Sequence, residues 1–180
     1  MKKIYVSLTT NGSIKKAVED LKRYKVDIHR KVRKLVDRLI EAGIDSGIAN
    51  SGEYAGMIVF QQMVVDDISG VEGVLVATDG VKLIKEWKYQ GGIKQAEVSP
   101  LLMAEFGSGW LAKVLDNVEG VGQGTFPGQT HAFDADGWWW TTPDDEKHHS
   151  IGEAPTYPVH SALFTMMFET ERIAKEIFSE

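Results

Sequence analysis

The chain has 180 residues, 43% of them hydrophobic and 26% charged, with a net charge of −6 and no cysteine. That length is enough for one substantial core and short for two, so a single domain over residues 1–180 is expected. Disulfides, thiolate metal sites and cysteine nucleophiles are excluded, and no stretch approaches the roughly 20 apolar residues of a membrane span. A chain without cysteine suits folding in a cytoplasm.

The net charge hides an asymmetry. Residues 1–45 carry 12 Lys/Arg against 6 Asp/Glu, a balance of +6, and residues 46–180 carry 8 against 20, a balance of −12. Intramolecular ion pairs would absorb this. So would copies meeting basic face to acidic face in a head-to-tail ring.

Met1-Lys2-Lys3-Ile4-Tyr5-Val6-Ser7-Leu8 has the charge of a signal peptide, but its apolar part is too short and too polar. It reads as a first strand over residues 3–9. Thr10-Asn11-Gly12-Ser13 reads as a turn with Ser13 as helix N-cap. Apolar residues then recur at Ile14, Val18, Leu21, Ile28, Val32, Leu35, Val36 and Leu39, mainly three and four apart. This predicts a long amphipathic helix over 13–43, with Arg30, Arg33, Lys34 and Arg38 on its basic face. The Gly-rich stretch from Ile44 to Gly56 reads as a frayed helix end leading into a loop.

Residues 57–88 are β-prone, in runs at 57–65, 71–78 and 81–87. Asp79-Gly80 between the second and third runs predicts a type I′ hairpin, so the centre reads as an antiparallel meander. Ser99-Pro100 starts a short helix through Phe106, which Gly107-Ser108-Gly109 interrupts. Trp110, Leu111, Val114, Leu115 and Val118 suggest another helical stretch. Residues 120–157 form a long Gly-rich loop; within it residues 137–142 and 147–151 can pair as a hairpin around Pro143-Asp144-Asp145-Glu146. Residues 159–178 predict a second amphipathic helix, with Leu163, Met166, Met167, Ile173 and Ile177 inward. The fold class is therefore α+β: long N- and C-terminal amphipathic helices on one face of an antiparallel sheet, with a long Gly/Trp-rich loop carrying a hairpin.

Motifs for chemistry are weak. There is no His-Glu-x-x-His and no Gly-x-Ser-x-Gly. Gly120-Val121-Gly122-Gln123-Gly124 has neither a preceding βαβ strand nor a following Lys-Ser/Thr, so it is not a phosphate loop. His131, Asp134, Asp136, Asp144, Asp145, Glu146, His148 and His149 are metal-ligand types. Yet a calcium loop opening at Asp134 would put Asp145 where the bidentate glutamate belongs. A metal-dependent hydrolase built on loop 131–149 is one reading, and an α+β binding module is another. The basic helix residues are interspersed with Glu19, Asp20, Asp27 and Asp37 in an acidic chain, which fits a solvated or partner-facing surface better than nucleic-acid binding. Three consecutive tryptophans, Trp138, Trp139 and Trp140, cannot all face one side of a strand. At least one is expected to meet another surface.

Taken in order, these elements resemble the tail-completion, or head–tail joining, proteins of tailed-phage necks. The likeness rests on the charged helix, the antiparallel meander and Glu105-Phe106-Gly107-Ser108-Gly109. It continues in Gly137-Trp138-Trp139-Trp140 with the turn at Asp144-Asp145, in Gly152, and in the Pro-rich lead-in from Pro155 to Ala162. It covers roughly residues 13 to 178. Asn50-Ser51-Gly52-Glu53-Tyr54 is only a loose equivalent of the family's helix–sheet junction, and residues 3–9 and 110–136 are longer than usual.

The resemblance implies a non-catalytic virion subunit, assembled in the host bacterial cytoplasm, with no cofactor, no metal and no membrane contact. Its partners would be further copies in a ring and other neck, connector or tail-tube proteins, with DNA only as cargo through the channel. Trp138, Trp139, Trp140, Arg30, Arg33, Lys34, Arg38 and Phe106 are the contact residues it suggests.

Overall fold

A computed structural model describes residues 11–67, 69–112 and 134–179. The strand expected at 3–9, the helical stretch beyond 112, the glycine run 120–124 and His131 lie outside the described residues. The fold is α+β, with two long helices and antiparallel pairs of strands.

Helix α1, Asn11–Ala49, is 39 residues long. It starts two residues before the expected cap at Ser13 and ends six after the expected stop at Gly43. The late stop has a packing cause. Gly43 and Gly47 read as helix breakers, but they are where α1 is approached most closely. A β-carbon at Gly43 would lie 2.9 Å from Met166 Cγ and 3.2 Å from Leu75 Cδ2, and one at Gly47 would lie 2.5 Å from the Phe60 ring. The helical cost of glycine, about 1 kcal/mol relative to alanine, is offset by that contact.

A single 3-10 turn, Gly52–Tyr54, leads to four strands: β1 Ile58–Asp66, β2 Val71–Asp79, β3 Leu83–Tyr89 and β4 Gly92–Val98. They form two separate antiparallel hairpins, β1–β2 and β3–β4, and not the expected meander. The type I′ turn is therefore not at Asp79-Gly80. It lies between β3 and β4, where Gln90 (φ 49°) and Gly91 (φ 82°) supply both positive φ values. The N–H of Gly80 instead donates to Met57 O at 2.7 Å. The Asp79 carboxylate turns to the next helix, accepting from the Leu101 N–H at 2.8 Å and the Ser99 hydroxyl at 2.9 Å.

That helix, α2, is Pro100–Phe106, with Ser99 Oγ accepting from the Leu102 N–H at 3.1 Å as an N-cap. A buried cluster of Tyr54, Ile58, Val98, Met103 and Ala104 joins the 3-10 turn, β1, β4 and α2. Beyond it, β5 Ser108–Gly109 pairs with β8 Gly152–Glu153, and β6 Trp138–Thr141 pairs with β7 Lys147–Ser150. The latter is the expected Trp hairpin. Helix α3, Pro158–Ser179, packs antiparallel on α1: the Ser46 hydroxyl donates to Ser161 O at 3.2 Å, and Arg38 pairs with Glu176 at 2.8 Å. The inner face of α3 differs from expectation. Ala162, Ile173 and Ile177 are buried, whereas Leu163 and Met167, expected inward, are exposed.

Candidate interaction surfaces

The Glu-Phe-Gly-Ser-Gly element is the junction of the molecule. Gly107 (φ 71°) and Gly109 (φ 60°) are in the left-handed region, and a β-carbon on either would run into the backbone of the β8 segment. Glycine is required there by both conformation and space. Glu105 reaches the other way, its carboxylate accepting from the N–H groups of Val159 (2.8 Å) and His160 (3.2 Å) at the start of α3. Glu153, on β8, accepts from the hydroxyl of buried Tyr54. Burial and that carboxylate push the Tyr54 phenol well above its ordinary range. Phe106, suggested as a contact residue, ends α2 half-buried.

The Trp hairpin is anchored to this junction. The Trp110 N–H donates to Ile151 O at 2.9 Å, and a β-carbon at Gly109 would meet the Trp138 ring at 2.9 Å. Its turn is held by Lys88 of β3, 2.5 Å from the Asp145 carboxylate. The strand divides the three tryptophans as its period of two requires. Trp138 and Trp140 are half-buried, and Trp140 stacks on His148 with centroids 4.7 Å apart. Trp139 faces outward, 71% exposed, with the His149 ring beside it at 4.8 Å. Trp110, expected on a helix face, is a second exposed tryptophan in a turn. An outward position for it was not legible, because no alternation or helical period runs through Gly107–Gly109.

The acidic and imidazole side chains of this region do not converge: among the described residues no three His, Asp or Glu groups are placed to share a metal ion. The ring of His149 instead lies 2.7 Å from the carbonyl of Asp136 through Nε2, and that of His148 lies 3.4 Å from the Glu146 carboxylate. No described helix is long and apolar enough to cross a membrane.

The basic residues singled out on α1 are engaged within the molecule. Arg30 pairs with Asp27 at 2.6 Å, and Arg38 with Glu176. Arg33 chelates Asp37 at 3.0 and 3.1 Å and reaches Asp66 at 3.3 Å. Lys34 is exposed and also has an interaction partner. His29 binds the same Asp66, at the end of β1; its hydrogen bond, joined by that of Arg33, holds the carboxyl below its usual range against the opposing effect of burial. Intramolecular pairing thus accounts for the helix from Arg33 onward. The cations of α1 without an acidic partner among the described residues, Lys15, Lys16, Lys22, Arg23, Lys25 and Lys31, lie toward its start.

In comparisons with known proteins, no family model, no curated protein and no solved structure matches this chain.

Proposed function

We propose that this chain is a structural virion protein of a tailed phage, a neck or tail-completion subunit that joins tail to head as part of a ring. Its place would be the virion, assembled in the host bacterial cytoplasm, with neck, connector or tail-tube proteins as neighbours and DNA only as cargo. It would carry out no catalysis and hold no cofactor. The reading rests on the order of elements that resembles the tail-completion family.

The observation that carries it furthest is Trp139. An indole 71% exposed on a hairpin fixed at base and turn is unusual for a surface with nothing to meet. Large aromatics concentrate binding energy when a partner desolvates them. The half-buried Trp138 and Trp140 hold the strand to the body, so Trp139 is presented and not merely uncovered.

Immunogold labelling of purified virions with antibody to this chain tests the reading. Gold at the head–tail junction is expected. Gold on capsid faces or distal tail fibres, or virions without the chain, would overturn it.

A further inference from the structure

Helix α3 is apolar on both sides over its first three turns. Ala162 and the later Ile173 and Ile177 are buried against the body, while Leu163, Phe164, Met167 and Phe168 are exposed, Met167 at 63% and Phe168 at 75%. The rings of His160, Phe164 and Phe168 follow one another along the helix, with centroids 4.4 and 5.7 Å apart. A helix that is hydrophobic all round is normally covered all round, and a contiguous apolar patch marks a contact site.

A matching surface lies at the other end of α1. The antiparallel packing places the start of α3 beside Ser46 and Gly43 of α1, and its later part beside Arg38. The β1–β2 hairpin meets α1 at His29 and Arg33. Residues 11–28 of α1 run on past these contacts for about 27 Å at 1.5 Å per residue. On them Ile14, Val18 and Leu21 are exposed, four and three residues apart, which makes a narrow apolar seam. Leu21 and Ser46 are separated by about 37 Å along the helix at the same rise. One chain cannot lay its own seam on its own α3 face.

Charge gives the direction. Residues 11–31 carry seven Lys/Arg against three Asp/Glu, and six of those cations have no acidic partner among the described residues. At the opposite end Glu169, Glu171 and Glu176 of α3 pair with Arg172, Lys175 and Arg38, which leaves Glu41 and Asp45 of α1 as the surplus acidic charge there. The seam is therefore flanked by positive charge, and the α3 face sits at the acidic end.

We infer that the occupant of the α3 face is the Ile14–Leu21 seam of a second copy of this chain, docked head to tail. Such a contact uses two different patches, so docking repeated in one direction closes a ring or extends a filament, whereas two copies that each lay a seam on the other's face would stop at a dimer. It deepens the ring reading above, but it concerns the pure protein and stands or falls separately from any place in a virion.

Two full-length variants test it by sedimentation and light scattering. V18E with L21E spoils the seam, and M167E with F168S spoils the face. Wild type is expected to form species larger than a dimer as its concentration rises toward about 1 mM, where a Kd of that order still registers. Each variant alone is expected to stay monomeric, and an equal mixture to give a one-to-one dimer, since one intact seam then meets one intact face. A wild type monomeric throughout, a variant that alone assembles like wild type, or a mixture that stays monomeric would each overturn the contact. Far-UV circular dichroism and thermal midpoints matching wild type establish that the variants are folded; a variant that fails is replaced by L21S or M167S. Association by this contact with no gold at the neck would sink only the virion reading. A monomer with gold at the neck would sink only this contact.

Discussion

Glu105, on the last turn of α2, holds the start of α3: one carboxylate oxygen accepts from the Val159 N–H at 2.8 Å and the other from the His160 N–H at 3.2 Å. Two of the helix's unsatisfied donors are met by a negative charge at its positive end. Glu105→Ala is expected to lower stability by about 1 kcal/mol, the usual worth of such a cap, and Glu105→Gln by about half as much, since one acceptor survives. Urea unfolding followed by circular dichroism measures both. Equal losses for the two would show that charge, and not the acceptor, carries the effect.

Gly152 pairs with Gly109 across the β5–β8 ladder at φ 103°, and a β-carbon there would overlap the Ser108 carbonyl. Gly56 has a similar φ of 82° but nothing within 4 Å of a β-carbon. Gly152→Ala should cost roughly 3 kcal/mol or more. Gly56→Ala should cost only the 1–2 kcal/mol of a left-handed alanine. Denaturant midpoints of the two variants separate backbone strain from backbone collision.

The same glycines explain what was legible in the sequence. The 3.6-residue period marked both long helices, and the polar turn Pro143-Asp144-Asp145-Glu146 between residues 137–142 and 147–151 marked the Trp hairpin, because these patterns are local. Gly43 and Gly47 misled about the end of α1, since their reason is contact with Met166, Leu75 and Phe60 far along the chain. Asp79-Gly80 has the turn signature, but Ser99 and Leu101 claim the Asp79 carboxylate, and the turn moved to Gln90-Gly91. Leu163 and Met167 satisfy an inward pattern as well as Ala162 does. Only the angle at which α3 meets α1 decides between them. The Glu105–Val159 cap links residues 54 apart, and no local pattern announces it.

The three tryptophans are not equivalent. Trp139→Ser removes an exposed ring and should change stability by less than about 0.5 kcal/mol, as for surface positions generally. Trp138→Ser and Trp140→Ser remove half-buried rings and should each cost roughly 1–3 kcal/mol. Under the proposed function, Trp139→Ser should also abolish incorporation into virions. Unfolding midpoints, with virion incorporation scored by immunoblot, test both statements. A Trp139→Ser chain that fails to fold would remove the contact assignment.

Asp79 titrates below the usual carboxylate range. Burial works against this, but the Lys82 ammonium at 2.6 Å, the Leu101 N–H and the Ser99 hydroxyl outweigh it. A carboxylate whose folded pKa lies below its unfolded value of about 3.9 stabilises the fold above that pH and loses its contribution as pH falls through the folded value. Asp79→Asn should therefore be less stable than wild type at neutral pH, with the gap narrowing below about pH 4. Thermal midpoints across that range measure it. A gap constant with pH would show that Asp79 acts through its hydrogen bonds alone.

The most direct measurement disrupts the gene in its phage and examines the lysate by negative-stain electron microscopy. DNA-filled heads and separate, complete tails, rejoined when the wild-type chain is supplied in trans, are the result expected of a joining subunit. Normal virions from the disrupted phage would contradict it.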